Sequence, residues 1–303
     1  MSENAPPPAS DKTATVPIAV RGIMVEGQRL ATAMSDAPRS FLARAPLVVL
    51  PAAGYQWEDY RAVLEHFAPE RRVFAFDWPG FGGSAKPSPD AFAYTSAHFA
   101  DILAGWLDTA GIARAVLVGH GIGGAAAVRY AAAHPQRVAG LCLIAPSGFA
   151  PRGPLIALTS RVLGMPQVLR RIEPRLTSFL LGSSNEQTTA IVAARRELRA
   201  TPDGPARLAA YAALLRSAGH RDEEITALAR SVTAPTMVVR GALDPIFSAG
   251  DAHRAAESFG EHGALEVTLP GAGHLPFLQA ETRFFAAVRG LLETAEANAA
   301  VNN

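Results

Sequence analysis

Apolar residues along this 303-residue chain recur in two rhythms, and the rhythm changes several times. Ile18 to Val25 and Gln28 to Met34 alternate as two strands joined at Gly27, a hairpin signal. Pro46 to Leu50 is short and fully apolar, the mark of a strand buried on both faces. Trp57 to Phe67 reads as a helix, Arg72 to Phe76 as a strand, and Thr95 to Ala110 as a helix with Phe99, Ile102, Leu103 and Trp106 on one face. Val116 begins a further apolar strand that ends in Gly119-His-Gly-Ile-Gly-Gly124, and Ala125 to Ala133 read as a helix. Val138 to Ala145 is again a strand.

The alternation then stops. From about 149 to 229 the pattern gives helical stretches only, around 155–163, 168–181, 187–198 and 205–218, separated by glycine and proline. It resumes with a strand at Thr236 to Arg240, a helix near 249–258, a strand at Leu265 to Leu269 and a helix from Pro276 to Ala295. Strands alternating with helices predict an α/β protein with a largely parallel sheet. The domain organisation expected is a tail over 1–15, a core over 16–148 and 230–295, a helical insertion over 149–229 and a second frayed tail over 296–303.

Composition narrows the class. Hydrophobic residues make up 49%, charged residues 18%, and the formal net charge is +1, which predicts an ordinary globule and gives no electrostatic case for nucleic acid. Lys12 and Lys86 are the only lysines, so the cations are nearly all arginine. A lone cysteine, Cys142, sits in an apolar strand and reads as a structural thiol. The first 16 residues lack the basic and apolar regions of a signal peptide, and no apolar run approaches the roughly 20 residues needed to span a bilayer. A cytoplasmic protein without membrane contact is the expectation, its partner a small-molecule substrate. Oligomeric state is not readable. No cluster of His, Cys or carboxylates has metal-ligand spacing, and the glycines at 119–124 lack the phosphate-loop Lys-Ser/Thr, so no metal or cofactor is expected.

Five motifs arrive in an order that resembles the α/β-hydrolase superfamily. They are Asp77-x-Pro-Gly-x-Gly-x-Ser84, the glycine turn at 119–124, the helical stretch after the sixth strand, Gly241-Ala-Leu-Asp244 and Gly271-Ala-Gly-His274. The resemblance implies a mostly parallel eight-stranded sheet with helices on both faces and an inserted helical cap. It implies that His274 is the base and Asp244 the acid that orients it. It also places the nucleophile at residue 121, the centre of G-x-S-x-G, and here that residue is glycine.

A second departure accompanies the first. The third strand of the family usually ends in His-Gly, whereas Leu50 is followed by Pro51-Ala52-Ala53-Gly54. The amides of Ala53 and Ile122 are the expected oxyanion donors, since backbone donors need no particular side chain. Alanine tolerates positive φ poorly, which puts the geometry of that loop in question. Loss of the serine removes about a millionfold in kcat from acyl-enzyme chemistry. Glycine also relieves strain at the elbow of order 1–3 kcal/mol.

Three readings follow. One is an enzyme using a His274–Asp244 pair for proton transfer without covalent catalysis, as in the superfamily's cofactor-free dioxygenases and hydroxynitrile lyases. Another is a non-catalytic binding protein of the same fold. The third is a serine hydrolase or esterase carrying a Ser-to-Gly substitution at 121. The first is favoured, because acid and base both persist. A small, largely apolar substrate is inferred from the composition of the helical insertion. Ser147, His120 and Tyr55 are the expected substrate contacts. Ser147 follows the sixth strand at the sheet's carboxyl edge, where α/β ligands bind, although Pro146-Ser-Gly148 is also ordinary turn chemistry.

Overall fold

The computed structural model describes residues 16–35, 43–150, 153–260 and 263–301, so the tail expected over 1–15 lies outside the described residues. Eight strands form one sheet: β1 (Ala19–Val25), β2 (Gln28–Ser35), β3 (Leu47–Leu50), β4 (Val73–Phe76), β5 (Ala115–His120), β6 (Val138–Ile144), β7 (Thr236–Gly241) and β8 (Leu265–Leu269). Their spatial order is β1-β2-β4-β3-β5-β6-β7-β8. β1 and β2 form an antiparallel hairpin, β2 joins β4 antiparallel, and every later pairing is parallel. The short all-apolar runs become the buried central strands β3, β4, β5 and β6, since helices cover both faces there.

The helices are α1 (Arg61–Phe67), α2 (Ser96–Thr109), α3 (Ile122–Ala133), α4 (Pro154–Leu163), α5 (Pro166–Leu181), α6 (Glu186–Ala200), α7 (Gly204–Ser217), α8 (Thr226–Ala229), α9 (Ala249–Glu257), α10 (Pro276–Gln279) and α11 (Glu281–Val301). α2, α3 and α9 bury Phe99, Trp106, Val128 and Ala252 against one face of the sheet. α1 and α11 bury Leu64, Phe67, Phe284 and Leu291 against the other. Side chains close several N-termini: Thr95 accepts from the His98 amide ahead of α2, and Ser248 and Asp251 form a reciprocal capping box on α9. Between β6 and β7 the described residues hold helices and turns and no strand.

Three elements differ from the pattern-based reading. The stretch 57–67 opens with a 3₁₀ turn over Trp57–Tyr60 before α1, and that turn is pinned from outside: the Trp57 amide donates to Asp77 Oδ1 at 2.7 Å. The helix expected from Pro276 to Ala295 breaks at Ala280 (φ −141°, ψ 45°). The Gln279 side chain holds that break, accepting from the Gly273 amide at 2.9 Å and donating to the Leu181 and Ser183 carbonyls at 2.7 Å each. Helical periodicity carries no trace of such a long-range tie. α11 then continues to Val301, past residue 296 where a tail is expected.

Candidate active site

Elbow, acid loop and histidine loop all sit at the carboxyl edge of the parallel strands, where the chain leaves the sheet. β5 ends at His120 and α3 begins at Ile122, so Gly121 makes the whole turn at φ 53°, ψ −116°. A residue with a Cβ is strained in that conformation, and glycine is not. The turn is fixed by Gly121 N–H donating to Ile144 O at 3.0 Å, and by Ala125 and Ser147 amides donating to Gly121 O.

Asp244 and His274 are brought together from the ends of β7 and β8. His274 Nδ1 lies 2.8 Å from Asp244 Oδ2, with both residues buried. Asp244 Oδ1 accepts from the Ile246 and Phe247 amides at 2.9 and 3.1 Å, so both oxygens are engaged and the carboxylate cannot swing. The His274 amide donates to Leu180 O of α5, which ties the histidine loop to the helical insertion.

A cavity of about 310 Å³ lies above the elbow. His274, Gly121, Ala53, Ile122, Tyr55 and Ser147 line it, together with mostly aliphatic and aromatic side chains of the insertion and of the loop after Asp244. Among the described residues neither the Ala53 nor the Ile122 amide donates to a protein acceptor. Both remain available to an oxygen in the cavity. The feared strain in the loop after β3 does not arise. Ala52 and Ala53 are absent from the positive-φ residues, and Gly54 takes the left-handed position (φ 76°). Ala145, just past β6 and also in the cavity wall, does adopt positive φ (40°), a costly conformation for a residue with a Cβ.

His120 is not in that wall. It is fully buried, with its ring centroid 4.5 Å from that of His274. Its Nδ1 is 2.7 Å from the Tyr60 hydroxyl, which accepts from the Ala52 amide at 2.9 Å. The Tyr60 proton therefore points to Nδ1, and a chain runs from Ala52 through Tyr60 to His120, joining the loop after β3 to the elbow. Burial, and then repulsion from His274, hold the His120 imidazole well below the usual histidine range, so it is neutral. Tyr60 escaped the sequence reading because an apolar face with one aromatic hydroxyl is ordinary core; the only signal is that a buried Tyr needs a partner.

Asp77 has a structural task, as its Pro-Gly context implies. Its oxygens accept from the Trp57 and Gly83 amides at 2.7 Å each, and burial pushes its carboxyl up to about 7. Cys142 is buried in β6, and burial raises its thiol. Among the described residues no group of three or more His, Cys, Asp or Glu is placed to hold a metal ion, and no helix is long and apolar enough to cross a membrane.

Comparison with known proteins bears on the family and the fold. A mouse protein named as a 1-acylglycerol-3-phosphate O-acyltransferase is 31% identical over 154 residues, covering 50% of this chain and 42% of that protein. A 2-hydroxymuconate semialdehyde hydrolase from Pseudomonas sp. (strain CF600) is 38% identical over 106 residues, covering 34% of this chain and 37% of the other. The matched stretches thus span less than half the length of these relatives. Among solved structures, a 2-hydroxy-6-oxo-6-phenylhexa-2,4-dienoate hydrolase from Rhodococcus sp. strain RHA1 superimposes with a TM-score of 0.76 at 18% identity, over 92% of this chain and all (100%) of that one. An enol-lactonase from Burkholderia xenovorans LB400 gives 0.75 at 21% identity, over 90% and 100%. Likeness at these identities speaks to the fold alone. The family model described as alpha/beta hydrolase fold matches residues 45–281, and the chain belongs to that family.

Proposed function

We propose that this protein is an enzyme that transfers protons through His274 and forms no covalent intermediate, acting on a small, largely apolar substrate held between the sheet edge and the helical insertion. The carrying observation is the 2.8 Å contact of His274 Nδ1 with a doubly anchored Asp244, on a ring that faces the cavity over Gly121. With Nδ1–H given to the carboxylate, Nε2 is the basic atom. In a hydrolysis, a water gives its proton to Nε2 as its oxygen bonds to the carbonyl carbon. The carbonyl oxygen becomes an oxyanion, for which the Ala53 and Ile122 amides are the donors. The C–O bond then breaks, and the imidazolium returns the proton to the leaving oxygen. The same base serves a lyase or a carbon-acid substrate by taking the proton directly.

A second reading, a binding protein that performs no chemistry, is favoured by one observation. Pro51-Ala52 and Gly121 depart from the motif together, and the Ala52 Cβ lies 3.2 Å from where a Cβ on residue 121 would stand, close enough to crowd a side chain there. One experiment separates the two. Wild type and His274→Ala are assayed on a panel of esters, lactones and acidic aromatic compounds. Product that disappears in His274→Ala is expected. Undiminished turnover in that variant refutes the proton-transfer reading, and ligand binding with no product from either protein supports the second.

A further inference from the structure

A second, smaller cavity of about 70 Å³ adjoins the first. Ala53, Tyr55, Leu180 and Tyr211 belong to both walls. The charged residues of the smaller wall are Arg195, Arg199, Arg207 and Glu173. Arg199 Nη1 donates to Glu173 Oε2 at 2.8 Å. Arg195 is hydrogen-bonded to Asp59 and lies 4.6 Å over the Tyr55 ring. Those two guanidiniums are neutralised at contact.

Arg207 is not. Its Nη2 donates to the Gly82 carbonyl at 2.8 Å, and no carboxylate of the described residues lies within ion-pair distance. Asp203, Asp77 and Glu58 attract it from farther away, and Arg195 repels it. Lys86 Nζ donates to the same carbonyl at 2.9 Å and to the Ser84 carbonyl, and likewise has no carboxylate at contact. Two cations, one from the insertion and one from the core, therefore converge on a single neutral acceptor. Two buried donor atoms of this wall, Arg207 Nε and the Tyr55 hydroxyl, have no hydrogen-bond partner. The wall's one carboxylate is already taken. A half-buried guanidinium without a counter-ion is costly, and an oxyanion is what would offset it.

We propose that this cavity receives the anionic group, a carboxylate or a phosphate, of a ligand whose other end lies over Gly121. Its volume is small beside the 310 Å³ of the first cavity and is enough for one oxyanion group. The planar fork of Arg207 binds two oxygens of such a group, and Tyr55 donates from the side shared with the larger cavity. The ligand class is then an acidic amphiphile, its apolar part in the 310 Å³ cavity. The inference rests on the proposed function only for what happens at the far end.

The test is calorimetric binding of octanoate, octyl phosphate and octanol to the full chain carrying His274→Ala, where turnover plays no part. At least one anion is expected to bind about 10-fold or more tightly than octanol, as a charge-assisted contact implies. The ratio of the two anions identifies the oxyanion preferred. Adding Arg207→Gln is expected to reduce that preference to about 2-fold or less while octanol binding stays unchanged, which also shows that the variant folds. Equal affinity for all three probes, or a preference that survives Arg207→Gln, overturns the inference. If Arg207→Gln does not fold, Tyr55→Phe carries the same comparison through the unpartnered hydroxyl of that wall, and a preference it leaves intact overturns the inference equally. Loss of the anion preference leaves the His274 chemistry untouched, and turnover without His274 leaves the anion site standing.

Discussion

A Cβ placed on Gly121 would stand 3.2 Å from the Cβ of Ala52. By its spacing from β3, residue 52 falls where the resemblance places the glycine of His-Gly, and the structure sets Ala52 directly opposite Gly121. The clash is mild: Ala52 would have to give by a few tenths of an ångström. The left-handed φ at 121 adds strain of about 1–3 kcal/mol for any residue but glycine. Gly121→Ser is therefore expected to lower thermal stability and to give little hydrolysis of p-nitrophenyl acetate. Gly121→Ser with Ala52→Gly is expected to recover part of the stability and to hydrolyse the ester at least about 10-fold faster, or ~1.4 kcal/mol of barrier. Equal rates for the single and double variants would show that Ala52 is no obstacle.

Asp244→Asn tests how the imidazole is held. An amide keeps its oxygen on the Ile246 and Phe247 N–H groups and turns its NH₂ toward His274 Nδ1. That favours the tautomer with the proton on Nε2, the wrong one for a base. Turnover is expected to fall by about 10³–10⁴-fold while thermal stability changes little. A loss of less than about 10-fold would mean that Asp244 does not set the tautomer.

His120 predicts a pH effect on stability. Its folded pKa lies below the unfolded value of 6.5, so the unfolded chain binds the extra proton first. The His120 contribution is fully present above pH 6.5 and is lost as pH falls, by up to about 1.4 kcal/mol per unit. Asp77, raised to about 7, has the opposite sign, its stabilising effect fading as pH rises from about 4 to about 7. The two are separated by subtracting urea-denaturation curves of His120→Gln from those of wild type between pH 5 and 8. A difference that does not change with pH would contradict the neutral, buried state of His120.

Tyr60→Phe removes one oxygen and strands two groups, the Ala52 N–H and His120 Nδ1. Leaving buried polar atoms unsatisfied is expected to cost about 1–3 kcal/mol in urea denaturation. A cost below about 0.5 kcal/mol would show that the link between the loop and the elbow does not support the fold.

The strands were readable because a two-sided sheet demands short all-apolar runs, and Leu47–Leu50 and Val138–Ile144 have nothing else to be. The elbow was readable as well, because its flanking glycines are forced by close backbone approach: a Cβ on Gly119 would meet Gly123 O at 2.7 Å, and one on Gly123 would meet Leu50 O closer still. The break at Ala280 was not, because the Gln279 side chain that fixes it reaches Leu181 and Ser183, about a hundred residues earlier. Nor was the calm backbone of Ala52 and Ala53, where the left-handed turn fell to Gly54 instead.

The order of residues alone determined the eight strands, the helical insertion and the absence of a side chain at 121, since these follow from local periodicity and residue identity. Only the tertiary structure decided that Asp244 reaches His274, that Tyr60 ties Ala52 to His120, and that Arg207 and Lys86 meet at one carbonyl. Asp244 and His274 lie 30 residues apart in the chain, Tyr60 and His120 60, and Arg207 and the Gly82 carbonyl 125. Their distances are set by how the strands stack and the insertion folds back over them, and no local pattern encodes that.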